Sequence, residues 1–243
     1  MPNMFTSMNL FCGFYAVIAS IDGKFVAAAI AIIIAGVFDN LDGKIARATG
    51  TTSKFGIEYD SLADLISFGI APGLMIYLWA LRPLGRIGWL AAFLFMVCGA
   101  LRLARFNTQI ETVNSDHFIG LPIPAGAGMN AVTVLIFHKL NIPGSANAIL
   151  LLIMLYSLSF LMVSSIKYNS FKKPELFRKM NFNSLVIAIL IFIFIASQPS
   201  IALFLCGILY VLSGPVIMLK RHKQIKQKEA GKIKGEENTS HRS

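Results

Sequence analysis

Charge is what this sequence has least of. Only 14% of its 243 residues are charged, against roughly 25% in ordinary soluble domains. Hydrophobic residues make up 56%, and the mean hydropathy is +0.67. A soluble body of this size needs a mainly polar shell, which so few charges do not build; a water-soluble enzyme is disfavoured. Cysteine is scarce too: Cys12, Cys98 and Cys206 stand isolated in apolar runs, suggesting neither a disulfide framework nor a zinc site. His117, His138, His222 and His241 have no cysteine or second histidine at ligand spacing. No serine-histidine-aspartate arrangement can be argued, and no Walker or Rossmann glycine loop is present. Acids are outnumbered, 12 against 22 basic residues, for a net charge of +10. Eight of those bases lie from Lys220 onward and most others fall between apolar stretches. That distribution suits anionic lipid and the inward ends of spans rather than nucleic acid.

What is abundant is long apolar sequence. A spanning helix needs about 20 mainly apolar residues, and eight candidates occur, at 8–21, 25–45, 61–80, 87–104, 122–138, 146–166, 183–197 and 200–219. Asp22-Gly23 and Gln198-Pro199 read as tight turns. The expected architecture is an all-α polytopic transmembrane bundle of eight spans over residues 1–219, with a basic, disordered tail at 220–243. No basic leader with a cleavage site opens the chain, so the first span is expected to stay. Placing both termini in the cytoplasm puts 18 of the 22 basic residues there. Only Lys24, Arg82, Arg86 and Lys139 remain outside, an asymmetry that supports this orientation.

Six aspartates occur in the chain, and four of them, Asp39, Asp42, Asp60 and Asp64, fall within 26 residues. Asp39 and Asp42 are three apart at the end of the second span; Asp60 and Asp64 are four apart at the start of the third. Each pair therefore shares a helix face, and the link through Gly50 and Gly56 can fold the faces together. Carboxylates gathered at a membrane boundary repel one another and lose hydration. Divalent metal resolves the conflict, and an all-oxygen set suits magnesium or manganese. Four carboxylates can support two ions bridging phosphate oxygens, as in phosphoryl transfer. Gly43 and Ala46 remove bulk one turn beyond Asp39 and Asp42, Gly56 does so one turn before Asp60, and Arg47 offers a fork of donors suited to phosphate.

The run Asp39-x-x-Asp42-Gly43-x-x-Ala46-Arg47, eight residues, then Gly56-x-x-x-Asp60-x-x-x-Asp64 resembles the signature of the CDP-alcohol phosphatidyltransferases. Every signature position is filled. The resemblance implies an integral membrane enzyme that joins a CDP-activated lipid precursor to an alcohol and releases CMP. It further implies that Asp39, Asp42 and Asp60 hold metal, with Asp64 contributing to a second ion and serving as base. Asp42, Gly43, Ala46, Arg47 and Gly56 would lie at the CDP moiety. Thr6-Ser7-Met8-Asn9 resembles the polar stretch that approaches cytidine in that family, which brings in Thr6 and Asn9, although Thr6 could equally cap a helix. A homodimer in a prokaryotic cytoplasmic membrane, with its site facing the cytoplasm, completes the expectation.

The acceptor does not follow from the physics of the residues alone. Arg102, Arg105, Asn107 and Lys167 offer groups for a zwitterionic amino acid or a phosphate near the cytoplasmic ends of the fourth and sixth spans. Arg102–Asn107, Phe118–Pro124 and Leu161–Tyr168 resemble segments of the membrane-integrated phosphatidylserine synthases, a branch of the family. That likeness implies CDP-diacylglycerol and L-serine as substrates and membrane lipids as surroundings, with no nucleic-acid partner. The alternatives are a sister enzyme using glycerol phosphate, inositol or inositol phosphate and, more distantly, a metal-ion transporter. A transporter calls for polar groups across the membrane, whereas these acids gather at one boundary.

Overall fold

A computed structural model describes residues 2–50, 53–110, 117–169 and 197–215. Helices dominate. The first two are α1 (Pro2–Ile21) and α2 (Phe25–Thr49); α3 is one continuous rod over Lys54–Leu84. Then come α4 (Arg86–Ile110), α5 (Ile123–Lys139), α6 (Ala148–Val163) and α7 (Pro199–Pro215). Five helical stretches among the described residues are long and apolar enough to cross a membrane: Met4–Ile21, Phe25–Ala46, Lys54–Leu84, Arg86–Thr108 and Gly144–Val163. The expected fifth and eighth spans correspond to the shorter α5 and α7. Most of the expected seventh, 183–197, and the tail at 220–243 lie outside the described residues.

The outer surface is as apolar as the interior: Phe11 and Leu209 are each 70% exposed and Ile149 68% exposed. Lipid rather than water must face them, since in hydrocarbon a helix satisfies its own backbone and exposes side chains that need no hydrogen bonds. Inside, small residues let the helices close. Ala16 and Ala19 of α1 and Ala28, Ala29 and Ala35 of α2 are buried in one core, the packing on which helix association in lipid depends. A close approach brings α1 to α3. A Cβ on Gly13 would stand 2.6 Å from the Ser67 Cα, so only glycine fits.

The turn between α1 and α2 falls where expected. The Asp22-Gly23 turn has Gly23 at φ 75° and closes with the Lys24 amide on the Ala19 carbonyl at 2.8 Å. Gly50, at φ 63°, ends α2 by returning its amide to the Ala46 carbonyl, a left-handed cap. Ser53 begins α3 by accepting the Gly56 amide at 3.0 Å, which the apolar pattern alone does not register. The rod α3 therefore starts about two turns earlier than position 61. It also widens into π turns at Leu65–Ile70 and Tyr77–Leu81. Pro72 follows the first of these; it lacks an amide and crowds the carbonyl four residues back, at Phe68. Wide turns of this kind gather at functional sites, and this one begins directly after Asp64.

Helices alternating in direction bring the end of α2, the start of α3, the end of α4, the start of α5 and the end of α6 to one end of the bundle. There a short ribbon pairs β1 (His117–Ile119) with β2 (Lys167–Asn169) antiparallel. His117 thus belongs to a strand, and Lys167 to its partner, four residues beyond the end of α6. Gly120, at φ 81°, follows the ribbon where a Cβ would meet the Met162 carbonyl oxygen at 2.3 Å.

Candidate active site

The site stands at that same end. Carboxylate oxygens of Asp39 from α2 and of Asp60 and Asp64 from α3 all lie within 4.8 Å of one another. The helical spacing makes this possible. Asp60 and Asp64 stack one turn apart on α3, and the last turns of α2 bring Asp39 against them. At that separation each pair of full charges repels by about 3 kcal/mol or more at an effective dielectric of about 20. Asp64 is only 7% exposed, so water screens it poorly.

Asp42 stands apart from this trio. It is equally buried, and its Oδ2 accepts a hydrogen bond from the Thr6 hydroxyl of α1. Its Oδ1 is buried with no hydrogen-bond partner among the described residues. Asn9, fully buried one turn beyond Thr6, donates from Nδ2 to Asp64 Oδ1 at 3.0 Å. Its own carbonyl is held by the Ser67 hydroxyl at 3.0 Å, and its Oδ1 has no partner among the described residues. The first helix is thus fastened to both carboxylate helices through their acids. Thr6, which reads equally as a helix cap in the sequence, is an interhelical donor to Asp42.

These residues fit a divalent cation. Oxygen donors of one sign crowd together, and a buried carboxylate oxygen beside them has no donor among the described residues, an arrangement a hard cation satisfies. Asp39, Asp60 and Asp64 would hold such an ion, with Asp42 supplying a further oxygen.

Around this centre the other expected residues divide. Arg102 of α4 lies close enough to Asp64 and to Tyr210 of α7 to interact electrostatically with both, and its buried Nε has no hydrogen-bond partner among the described residues. Asn107 is tied to α3, donating from Nδ2 to the Ser61 hydroxyl at 2.9 Å. Arg105 is exposed, while Gly43 and Ala46 border the trio on α2 as exposed and half-buried residues respectively. Arg47 follows Ala46 in that helix, and Lys167 is in β2. Sequence reasoning missed Tyr210, Ser61, Ser67 and Tyr59. Tyr59 shares a 2.9 Å hydroxyl–hydroxyl bond with Ser7, another tie between α1 and α3. Ser61 was discoverable, lying between two signature aspartates, but Tyr210 is distant in sequence and carries no motif.

Asn9 touches the carboxylate rather than a space reserved for metal, so its removal should loosen the centre without emptying it. Asn9→Ala is expected to raise the divalent-ion concentration for half-maximal turnover by about 10- to 100-fold, the usual scale for such supporting contacts. A manganese titration of activity at saturating lipid measures it.

An apolar helical bundle with carboxylates clustered at one end defines a membrane protein equipped to hold a divalent cation. The comparison with known families agrees. Residues 1–164 match the CDP-alcohol phosphatidyltransferase family, and the chain belongs to that family. It is 39% identical over 213 residues to the CDP-diacylglycerol--serine O-phosphatidyltransferase of Helicobacter pylori (strain ATCC 700392 / 26695), covering 88% of each chain. It is 43% identical over 173 residues to the protein of the same name from Bacillus subtilis (strain 168), covering 71% of this chain and 91% of that one. An archaetidylserine synthase from Methanothermobacter thermautotrophicus is 39% identical over 170 residues, 69% of each chain.

Proposed function

We propose that this protein transfers the phosphatidyl group of CDP-diacylglycerol to the hydroxyl of L-serine, giving phosphatidylserine and CMP. The observation that carries this reading is the convergence of Asp39, Asp60 and Asp64 from two helices at one end of a membrane bundle. The names of its relatives support the choice of serine.

Magnesium or manganese, as two ions, would neutralise the diphosphate and stabilise the departing CMP. This chain's own residues do the rest. Asp39, Asp42 and Asp60 hold the centre open, with Asp42 oriented by Thr6. Gly43, Ala46 and Gly56 leave room for the nucleotide along the backbone, and Arg47 binds phosphate oxygen. Asp64, its rotation fixed by Asn9, accepts the serine hydroxyl proton as the oxygen attacks phosphorus. Arg102 pairs with the serine carboxylate across from Asp64, while Asn107, Arg105 and Lys167 offer further groups for serine or phosphate.

The diacylglycerol chains stay in lipid, and the head group and serine arrive from water. The basic residues orient this end toward the cytoplasm of a prokaryotic cell, and the protein functions as a homodimer. The test is an assay of purified protein with CDP-diacylglycerol, divalent metal and one alcohol at a time. CMP and phosphatidylserine should form with serine. Turnover with glycerol phosphate or inositol and none with serine would overturn the acceptor and leave the class intact.

A further inference from the structure

Helix α7 lies beyond residues 1–164, the part matched to the family, and that part already holds all four signature aspartates. A contribution from α7 is thus one added to the carboxylate cluster, not one within it. One side of the helix faces lipid, with Leu205 and Leu209 exposed. The other side is seated on the bundle. A Cβ on Gly207 would stand 3.1 Å from the Met129 sulfur of α5. Phe204, Ile208 and Val211, at helical spacing, pack against the core. Tyr210 is three residues beyond Gly207, half-buried and packed against that same core. An aromatic that merely anchors a helix at the membrane boundary would suit the exposed side, beside Leu209.

This placement brings Tyr210 within electrostatic reach of Arg102, which also senses Asp64. Arg102 is half-buried, yet its donors are not spent. Among the described residues its buried Nε has no hydrogen-bond partner, and no carboxylate oxygen lies within 4.0 Å of the guanidinium. A cation so near a buried carboxylate is drawn toward it. Arg102 collapsed onto Asp64 would neutralise the oxygen that takes the hydroxyl proton and use up its own fork. A phenolic oxygen accepts from a guanidinium without cancelling its charge, so a tyrosine can restrain the cation and leave it available to an incoming anion.

We infer that Tyr210 is a positioning residue: it holds the Arg102 guanidinium off Asp64, so that Nε–H and a neighbouring N–H grip the anionic group of the acceptor as a pair. A planar fork meets a carboxylate in this way. The assignment rests on the proposed reaction, whose serine brings that carboxylate, and it makes α7 part of how the alcohol is chosen.

The test is a double-mutant cycle of Tyr210→Phe and Arg102→Gln on the full chain in lipid, assayed by CMP release. Tyr210→Phe keeps the ring and its packing. It should raise the serine KM about 10-fold, the scale of a hydrogen bond to a charged group. The CDP-diacylglycerol KM and the manganese requirement should stay within about twofold of the parent. In the Arg102→Gln background the same change should add less than about twofold, because a residue acting through another then has nothing to act on. The serine KM alone decides where Arg102→Gln leaves too little turnover for the cycle. An unchanged serine KM, fully multiplicative losses, or equal losses toward lipid, metal and serine would overturn the inference; the last would mark Tyr210 as a packing residue. A parent protein that uses glycerol phosphate and not serine would sink the proposed acceptor alone, since the cycle is then read on the phosphate group in the same way. Turnover with inositol alone would leave Arg102 no anion to hold and overturn both.

Discussion

Asp64→Asn is expected to lower the rate of CMP release by about a thousandfold, within the range that loss of a positioned base produces. The substitution keeps the size of the side chain and one oxygen to accept from Asn9, so α1 and α3 remain joined. What it removes is a negative oxygen able to take the hydroxyl proton. Because Asp64 shares its trio with Asp39 and Asp60, the variant also weakens the cation. Saturating manganese separates the two effects: metal-dependent loss recovers as the ion is raised, while the loss of the base does not. Single-turnover measurement of CMP at saturating lipid and serine reads it directly. Turnover restored to the normal rate at high manganese would assign Asp64 to metal binding alone.

The second large effect concerns the cation itself. Chelation is expected to abolish turnover, and magnesium or manganese to restore it. Asp39→Ala should cost about a thousandfold or more that added metal does not recover. Asp39 is the only member of the trio contributed by α2, so without it the cluster reduces to one pair on one helix. The variant also removes repulsion from the site, and its thermal stability in metal-free detergent should match or exceed that of the parent. Lower activity accompanied by a large loss of stability would instead mark Asp39 as a structural residue. The combination distinguishes a residue kept for chemistry from one kept for folding.

Much of this was legible in the amino-acid sequence. Asp39, Asp60 and Asp64 were assignable to one centre because helical spacing places each pair on one face and Gly50 allows the link to turn. The helical, membrane-spanning character followed from the scarcity of charge. Other features were not accessible from periodicity. The start of α3 depends on the Ser53 cap, which lies outside the apolar run, and the π turn after Asp64 has no signature except the later Pro72. Asp42 looked equivalent to the other three acids, yet its hydrogen bond comes from Thr6, some 36 positions away. Asn9 was expected near the nucleotide from resemblance, and its contact with Asp64 came only with the packing of α1 through Gly13. Tyr210 beside Arg102 depends on where α7 lands. Long-range partners of this kind are set by tertiary packing, which local spacing does not encode.

The most direct test is to crystallise the full-length protein in lipid with manganese and collect anomalous diffraction at the manganese edge. The account predicts strong anomalous peaks in contact with carboxylate oxygens of Asp39, Asp60 and Asp64. Absence of any peak there at manganese concentrations that support full turnover, or a peak bound only elsewhere on the protein, would contradict it.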